Sequence, residues 1–139
     1  AREHSVLEET IANEGMTMID TDIIKYEHQG EGRYRKKYHY FGQKNNFGQS
    51  YVYRNCVFEP LLNRDCVEDC MTEIDIAFRQ GKPANISSHR VNFVGGIEPK
   101  VRDDGLNKLK TLLQQIVKKW PDVEFIASWE LENILNNKI

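Results

Sequence analysis

One histidine directly follows a short apolar run and precedes further polar side chains. His89 comes after residues 84–88 in the segment ANISSHRVNFVGG, and Arg90 and Asn92 follow it. Imidazole titrates near neutrality, so a histidine held at the end of a rigid strand can act as a general acid or base. The alternative is a structural histidine whose ring is bonded within the fold. We predict that His89 is a catalytic residue.

A second polar cluster accompanies another predicted strand, residues 50–57. Arg54 and Asn55 lie in the motif RNCVFEP, and Glu59 follows the strand. Arg54 and Glu59 can bind a polar ligand, orient His89, or pair with each other across a loop. The polar residues after His89 allow the same alternatives. We predict a substrate cleft lined by Arg54, Asn55, Glu59, Arg90 and Asn92.

Predicted strands alternate with predicted helices along the chain. Short apolar or β-branched runs predict strands at residues 16–20, 50–57, 84–88 and 123–127. Capping residues and apolar spacings of three and four predict helices that start at Ser5, Asp65, Asp103 and Ser128. This alternation indicates an α/β fold with a parallel sheet covered by helices. Because ligands bind at the carboxyl ends of such strands, we expect both polar clusters to form one site.

The segment at about residues 28–49 lacks a clear helical or strand period, and we predict a long irregular excursion there. Within it, RYRKKYHYF at residues 33–41 interleaves aromatic rings with cations. Such a run suits single-stranded nucleic acid, sugar rings that stack on aromatic faces, or a subunit contact. The net charge of -2 and the lack of a second basic patch lead us to predict no nucleic acid partner.

The composition is typical of a soluble globular protein with one domain over residues 1–139. The chain is 40% hydrophobic and 29% charged, and no apolar run is long enough for a membrane span or a signal peptide. The sequence does not indicate a compartment. Three cysteines are an odd number, which favours reduced thiols. Cys66 and Cys70 are one helical turn apart and can ligate a metal, but buried helical positions are the simpler interpretation.

Three segments resemble the carboxyl-terminal part of the polysaccharide deacetylase superfamily, the NodB-like deacetylases. They are RNCVFEP, SSHRVNFVG and RDDGLNKLKTLLQQIVKKWPDVEFIASWEL, and the RN-x-x-FEP and SHR-x-N motifs are typical of a bacterial branch. The resemblance extends from about Gly42 onward. It implies a distorted (β/α) barrel that removes acetyl groups from a glycan. The family's divalent metal, usually zinc, is bound by an aspartate and two histidines. His89 would be the general acid that protonates the leaving group.

The paired-aspartate motif and the H-x-x-x-H metal motif of that family have no counterpart here. His4, His28 and His39 do not have the required spacing. We therefore expect a carboxyl-terminal half of a longer barrel that contains no metal ligands and is inactive alone. A missing half or a homo-oligomer would cover its apolar surfaces. The alternative is a non-catalytic module that binds glycan or protein through residues 33–41.

Overall fold

Helices and strands combine in a mixed α/β fold, as the sequence predicts. The structure is a computed structural model that describes residues 5–96 and 98–137. Two units each have a hydrophobic core: Ala1–Tyr53 with Ile126–Ile139 forms unit 1, and Arg54–Phe125 forms unit 2. Among the described helices, none has both the length and the hydropathy that a bilayer-spanning helix requires.

In its described residues, unit 1 consists of two small sheets and short helices. Its elements are the 3-10 helix Ser5–Leu7, α1 (Glu8–Asn13), β1 (Met18–Asp20), β2 (Ile24–His28), β3 (Tyr34–Tyr38), β4 (Ser50–Val52) and α4 (Ser128–Asn137). Strand β1 pairs in parallel with β4, and β2 pairs antiparallel with β3. Apolar residues of β1 and α4 pack against a core of Phe41, Val52 and Tyr53.

Unit 2 contains a parallel strand pair connected by a helix. Its elements are β5 (Cys56–Val57), α2 (Cys66–Arg79), β6 (Ile86–Ser87), the 3-10 helix Arg90–Phe93 and α3 (Pro99–Lys119). Parallel strands need such a crossover, which α2 provides. Helices α2 and α3 supply most of the core, whose fully or nearly fully buried residues are Cys56, Phe58, Cys66, Cys70, Ile74, Leu112 and Ile116.

The prediction that residues 28–49 are irregular is wrong in part, because they contain strand β3 and the hairpin turn before it. The strand period does not show as an apolar pattern, because the hairpin buries charged side chains and exposes aromatic ones. Lys25 and Glu27 are buried on one side, whereas Tyr26 and Tyr34 are exposed on the other. Sequence patterns predict a half-buried strand from apolar residues at every second position, and this hairpin lacks that pattern.

Two of the predicted strands differ from the structure. Residues 50–57 are not one strand, since β4 ends at Val52 and β5 starts at Cys56 in a different sheet. Residues 123–127 form no strand, although their composition favours one. Val123 packs against the core of unit 2 and its amide closes a turn onto the Trp120 carbonyl at 3.0 Å. Val123 is therefore partly buried without any strand pairing.

The starts of two helices also differ from the prediction. The Ser5 side chain does not cap α1 and instead bonds to the Glu27 carboxylate. Helix α3 starts at Pro99 rather than after Asp103, because proline is tolerated at the first helical position. Helix α4 starts at Ser128 as predicted, and the Ala127 amide donates to Glu130 Oε2 at 2.6 Å.

Candidate active site

Parallel pairing in unit 2 brings two of the predicted site residues together. The described register of β5 and β6 ends with Val57 opposite Ser87. Continuing that register by two residues places Glu59 opposite His89, at the carboxyl ends of both strands. The His89 Nδ1 atom lies 2.6 Å from Glu59 Oε1. Of the three alternatives for Glu59, the structure thus provides a contact that orients His89.

Glu59 is a buried carboxylate with three hydrogen-bond donors around it. Its residue surface is only 8% exposed. Oε1 accepts from the backbone amide of His89 at 3.0 Å and contacts the imidazole, while Oε2 accepts from Asn92 Nδ2 at 2.6 Å. Burial raises the pKa of Glu59, but the hydrogen bonds from Asn92 and His89 outweigh burial and hold that pKa below its ordinary value of 4.5. Glu59 is therefore ionised at neutral pH.

The ionised carboxylate determines which nitrogen of His89 carries the proton. A carboxylate can only accept a hydrogen bond, so Nδ1 must be the protonated nitrogen at the Glu59 contact. In neutral imidazole this leaves Nε2 with its lone pair, and in the imidazolium it leaves an Nε2–H that can be donated. The side chain of His89 is 73% exposed. The pair thus combines a fixed, buried carboxylate with an accessible proton carrier.

Asn92 contacts both members of this pair and has no exposed surface. Besides Glu59, its Nδ2 donates to the His89 carbonyl at 2.8 Å, and its Oδ1 accepts from the Leu61 amide at 3.0 Å. These bonds tie the segment after β5 to the 3-10 helix after β6. Asn92 therefore holds Glu59 in position from inside the unit.

Gly105 of α3 supports the site, and it was missed in the sequence. A Cβ atom at this position would lie 2.0 Å from the backbone oxygen of Asn92, closer than any real contact. Only glycine lets α3 approach the 3-10 helix so closely. Its signal in the sequence is a glycine inside a long amphipathic helix, where glycine costs roughly 1 kcal/mol relative to alanine and so indicates a packing role.

The other predicted site residues lie elsewhere in unit 2. The Asn55 side chain is bonded to backbone: its Nδ2 donates to the Pro83 carbonyl at 2.9 Å, and its Oδ1 accepts from the Asn85 amide at 2.7 Å. These contacts join the amino ends of β5 and β6. Arg54 Nη1 lies 3.5 Å from Ser87 Oγ. Arg90 is exposed in the 3-10 helix. Their roles in substrate binding stay predictions.

A cleft of about 300 Å³ lies beside the segment that follows Glu59. One wall comes from the chain after β5 and the other from the first turns of α3. Lys108 Nζ is 3.0 Å from Asp104 Oδ2 and 3.5 Å from the Pro60 carbonyl. With Arg64 and Lys100 also in the lining, cations outnumber carboxylates, so the cleft favours anionic groups of a ligand.

The three cysteines are buried free thiols in the core of unit 2. Burial raises the pKa of Cys56 and of Cys70 to about 12 and also raises that of Cys66. Within residues 5–96 and 98–137, no three His, Cys, Asp or Glu side chains are grouped to hold a metal ion. The described residues therefore do not fit the divalent metal that the resemblance implies.

No family model matches this chain, no curated protein is significantly similar to it, and no solved structure matches it significantly. The resemblance of the three segments to the NodB-like deacetylases thus stays a hypothesis. The geometry of Glu59, His89 and Asn92 is the basis on which function can be inferred.

Proposed function

We propose that unit 2 carries the proton-transfer part of a glycan deacetylase, a hydrolase that removes acetyl groups as the NodB-like resemblance implies. The observation that carries this proposal is the 2.6 Å contact between the buried Glu59 carboxylate and the exposed imidazole of His89. A general acid needs that exposure, because it must reach the leaving group.

The step assigned to His89 is a single proton transfer. Water adds to the acetyl carbonyl and gives up one proton to bulk solvent, and the resulting tetrahedral intermediate loses the sugar amine or hydroxyl as its bond to carbon breaks. The Nε2–H of the His89 imidazolium gives its proton to that leaving atom. The carbonyl re-forms as acetic acid, which ionises to acetate, and the released proton recharges the imidazole. Glu59 keeps Nδ1 protonated and stabilises the imidazolium before the transfer, as a carboxylate does in other acid–base pairs with histidine.

We also propose that β5, α2 and β6 are one part of a distorted (β/α) barrel of the deacetylase type. Support comes from their parallel pairing through a helical crossover and from the position of the site at the carboxyl ends of the strands. The divalent metal of such an enzyme would require ligands from outside the described residues.

Acetate release from an acetylated chito-oligosaccharide by the full-length protein tests the proposal. His89→Ala should lower kcat by about 100-fold or more, because general acid catalysis contributes that much. Gln114→Ala, at an exposed position of α3, is the matched control and should retain the wild-type rate. A His89→Ala variant that is folded and fully active would reject the assigned role.

A further inference from the structure

The hairpin of β2 and β3 exposes an aromatic face. In an antiparallel pair, residues directly opposite each other lie on the same face, and successive pairs alternate between faces. The register therefore divides the hairpin into a buried face with Lys25 and Glu27 and an opposite face. We call the opposite side the hairpin face; it consists of Ile24, Tyr26, His28, Tyr34, Lys36 and Tyr38.

The tyrosine rings of the hairpin face are exposed, and two of them contact neighbouring side chains. Tyr26, Tyr34 and Tyr38 are 58%, 62% and 65% exposed. His28 packs edge-on against Tyr34 with 5.2 Å between ring centroids, and Lys36 Nζ lies 5.7 Å from the centre of the Tyr26 ring. Tyrosine presents a large rigid contact area with few rotatable bonds, so such rings bind a partner at a low entropic cost.

Three of the five lysine and arginine residues in the hairpin, residues 24–38, lie next to carboxylates. Lys37 Nζ lies 2.8 Å from Glu27 Oε2, Arg33 Nη2 lies 2.8 Å from Glu31 Oε2, and Lys25 Nζ lies 3.3 Å from Glu8 Oε1. A polyanion needs several unpaired cations in a row, because its affinity comes mainly from phosphate contacts. The charge balance of the hairpin therefore suits an uncharged partner better than a nucleic acid.

We propose that the hairpin face binds an extended, uncharged glycan. Pyranose rings carry C–H groups on one face, which pack on the negative face of a tyrosine ring, while their hydroxyls bond to the phenol groups at the rim. At a strand rise of about 3.4 Å per residue, Tyr34 and Tyr38 are about 14 Å apart. That span exceeds a single sugar ring and fits an oligosaccharide laid along β3. The face lies in unit 1, so the proposal does not depend on acetyl removal by His89.

Titration of the chain with uncharged hexasaccharides tests the proposal, with one of β-1,4-linked glucose and one of β-1,4-linked N-acetylglucosamine as probes. The readout is the shift of tyrosine ring signals in a proton–carbon NMR spectrum. We expect shifts at Tyr26, Tyr34 and Tyr38 with at least one probe. Tyr38→Leu should weaken binding at least fivefold, whereas Tyr38→Phe, which keeps the ring, should bind within about twofold of wild type.

Phe47→Ala removes an exposed aromatic ring outside the hairpin face and should leave binding unchanged. His89→Ala should also bind normally, and this separates failure of the present proposal from failure of the proposed enzyme. The proposal is overturned by three results: no tyrosine shift with either hexasaccharide, preferential binding of a thymidine oligonucleotide, or self-association through the hairpin face in place of glycan binding.

Discussion

At the residue scale, the account depends on how Glu59, His89 and Asn92 are bonded. A buried carboxylate is stable only when donors replace the water it has lost. Glu59 obtains these donors from His89 and Asn92, which both follow β6. The same bonds fix the imidazole, so the groups that stabilise the buried charge also determine the orientation of the proposed acid.

Asn92→Ala tests how much this bonding stabilises unit 2. The change leaves Glu59 Oε2 and the Leu61 amide without their partner inside the protein, and an unsatisfied buried group costs about 1–3 kcal/mol. We expect the free energy of unfolding to fall by about 2–4 kcal/mol in urea titrations. Asn107→Ala, at an exposed position of α3, should change it by less than about 0.5 kcal/mol. Equal effects of the two changes would contradict the assigned bonding.

At the scale of elements, the close approach of α3 to the 3-10 helix shapes the site from behind. Helix α3 packs on the 3-10 helix Arg90–Phe93 and on α2. The contact depends on Gly105, where a side chain would meet the backbone of Asn92. A substitution in α3 at Gly105 would therefore displace Asn92, and through Asn92 it would displace Glu59, without any direct contact with the exposed imidazole.

Gly105→Ala should destabilise unit 2 even though alanine is the better helix former. Alanine gains about 1 kcal/mol in helix propensity, but its Cβ would overlap the Asn92 carbonyl, and overpacking typically costs about 1–3 kcal/mol and sometimes more. We expect a net loss of about 1–2 kcal/mol in urea unfolding. Gly96→Ala, where the added Cβ would meet no atom within 4 Å apart from its own residue and its chain neighbours, serves as the control. A stabilised Gly105→Ala variant would show that the packing is looser than described.

The elements also show what the sequence could predict and why the rest was hidden. Helix α2 was predictable because Asp65 precedes a regular apolar spacing that its core contacts use. The pairing of Glu59 with His89 was one of several alternatives, since only the register of β5 and β6 selects it. Strand β3 could not be recognised, because it exposes both of its tyrosines and the strand it pairs with, β2, buries charged side chains. The role of Gly105 does not follow from helical periodicity, because that pattern carries no information on how closely two backbones approach.

At the scale of the whole molecule, each unit depends on buried ionisable groups. In unit 1, Glu8 accepts hydrogen bonds from Tyr51 at 2.8 Å and Asn45 at 3.1 Å, and the His39 ring lies tilted against the Tyr51 ring with 4.0 Å between centroids. No described residue bonds to His39 Nδ1. In unit 2, Glu59 is the corresponding buried charge. Stability should therefore depend on pH in both units.

Acid should destabilise the chain in two separate ranges. Burial lowers the pKa of His39, and the nearby Lys25 and Lys37 lower it further, against opposing effects of the Asp22 carbonyl and Glu8. The unfolded state thus binds the proton first, so stability falls as the pH drops below the ordinary histidine value of 6.5 toward the lower folded pKa. Buried glutamates add a second range: the pKa values of Glu8, Glu27 and Glu59 lie below 4.5, and their contribution is lost as the pH falls through them.

Urea midpoints measured at pH 7.5, 5.5 and 3.5 separate these ranges. We expect the wild-type midpoint to fall from pH 7.5 to 5.5 and to fall again by pH 3.5. His39→Gln should be less stable at pH 7.5 but should lose the first decrease and keep the second. A variant that keeps the whole decrease between pH 7.5 and 5.5 would show that another group titrates there.

The central claim is that an ionised Glu59 holds His89 with its proton on Nδ1, ready to use Nε2. Long-range proton–nitrogen NMR of the imidazole, at a pH where His89 is neutral, reports the protonated nitrogen directly. The account predicts protonated Nδ1 and unprotonated Nε2 in the wild type, and loss of this preference in Glu59→Ala. A wild-type ring protonated on Nε2, or one unaffected by Glu59→Ala, would contradict it.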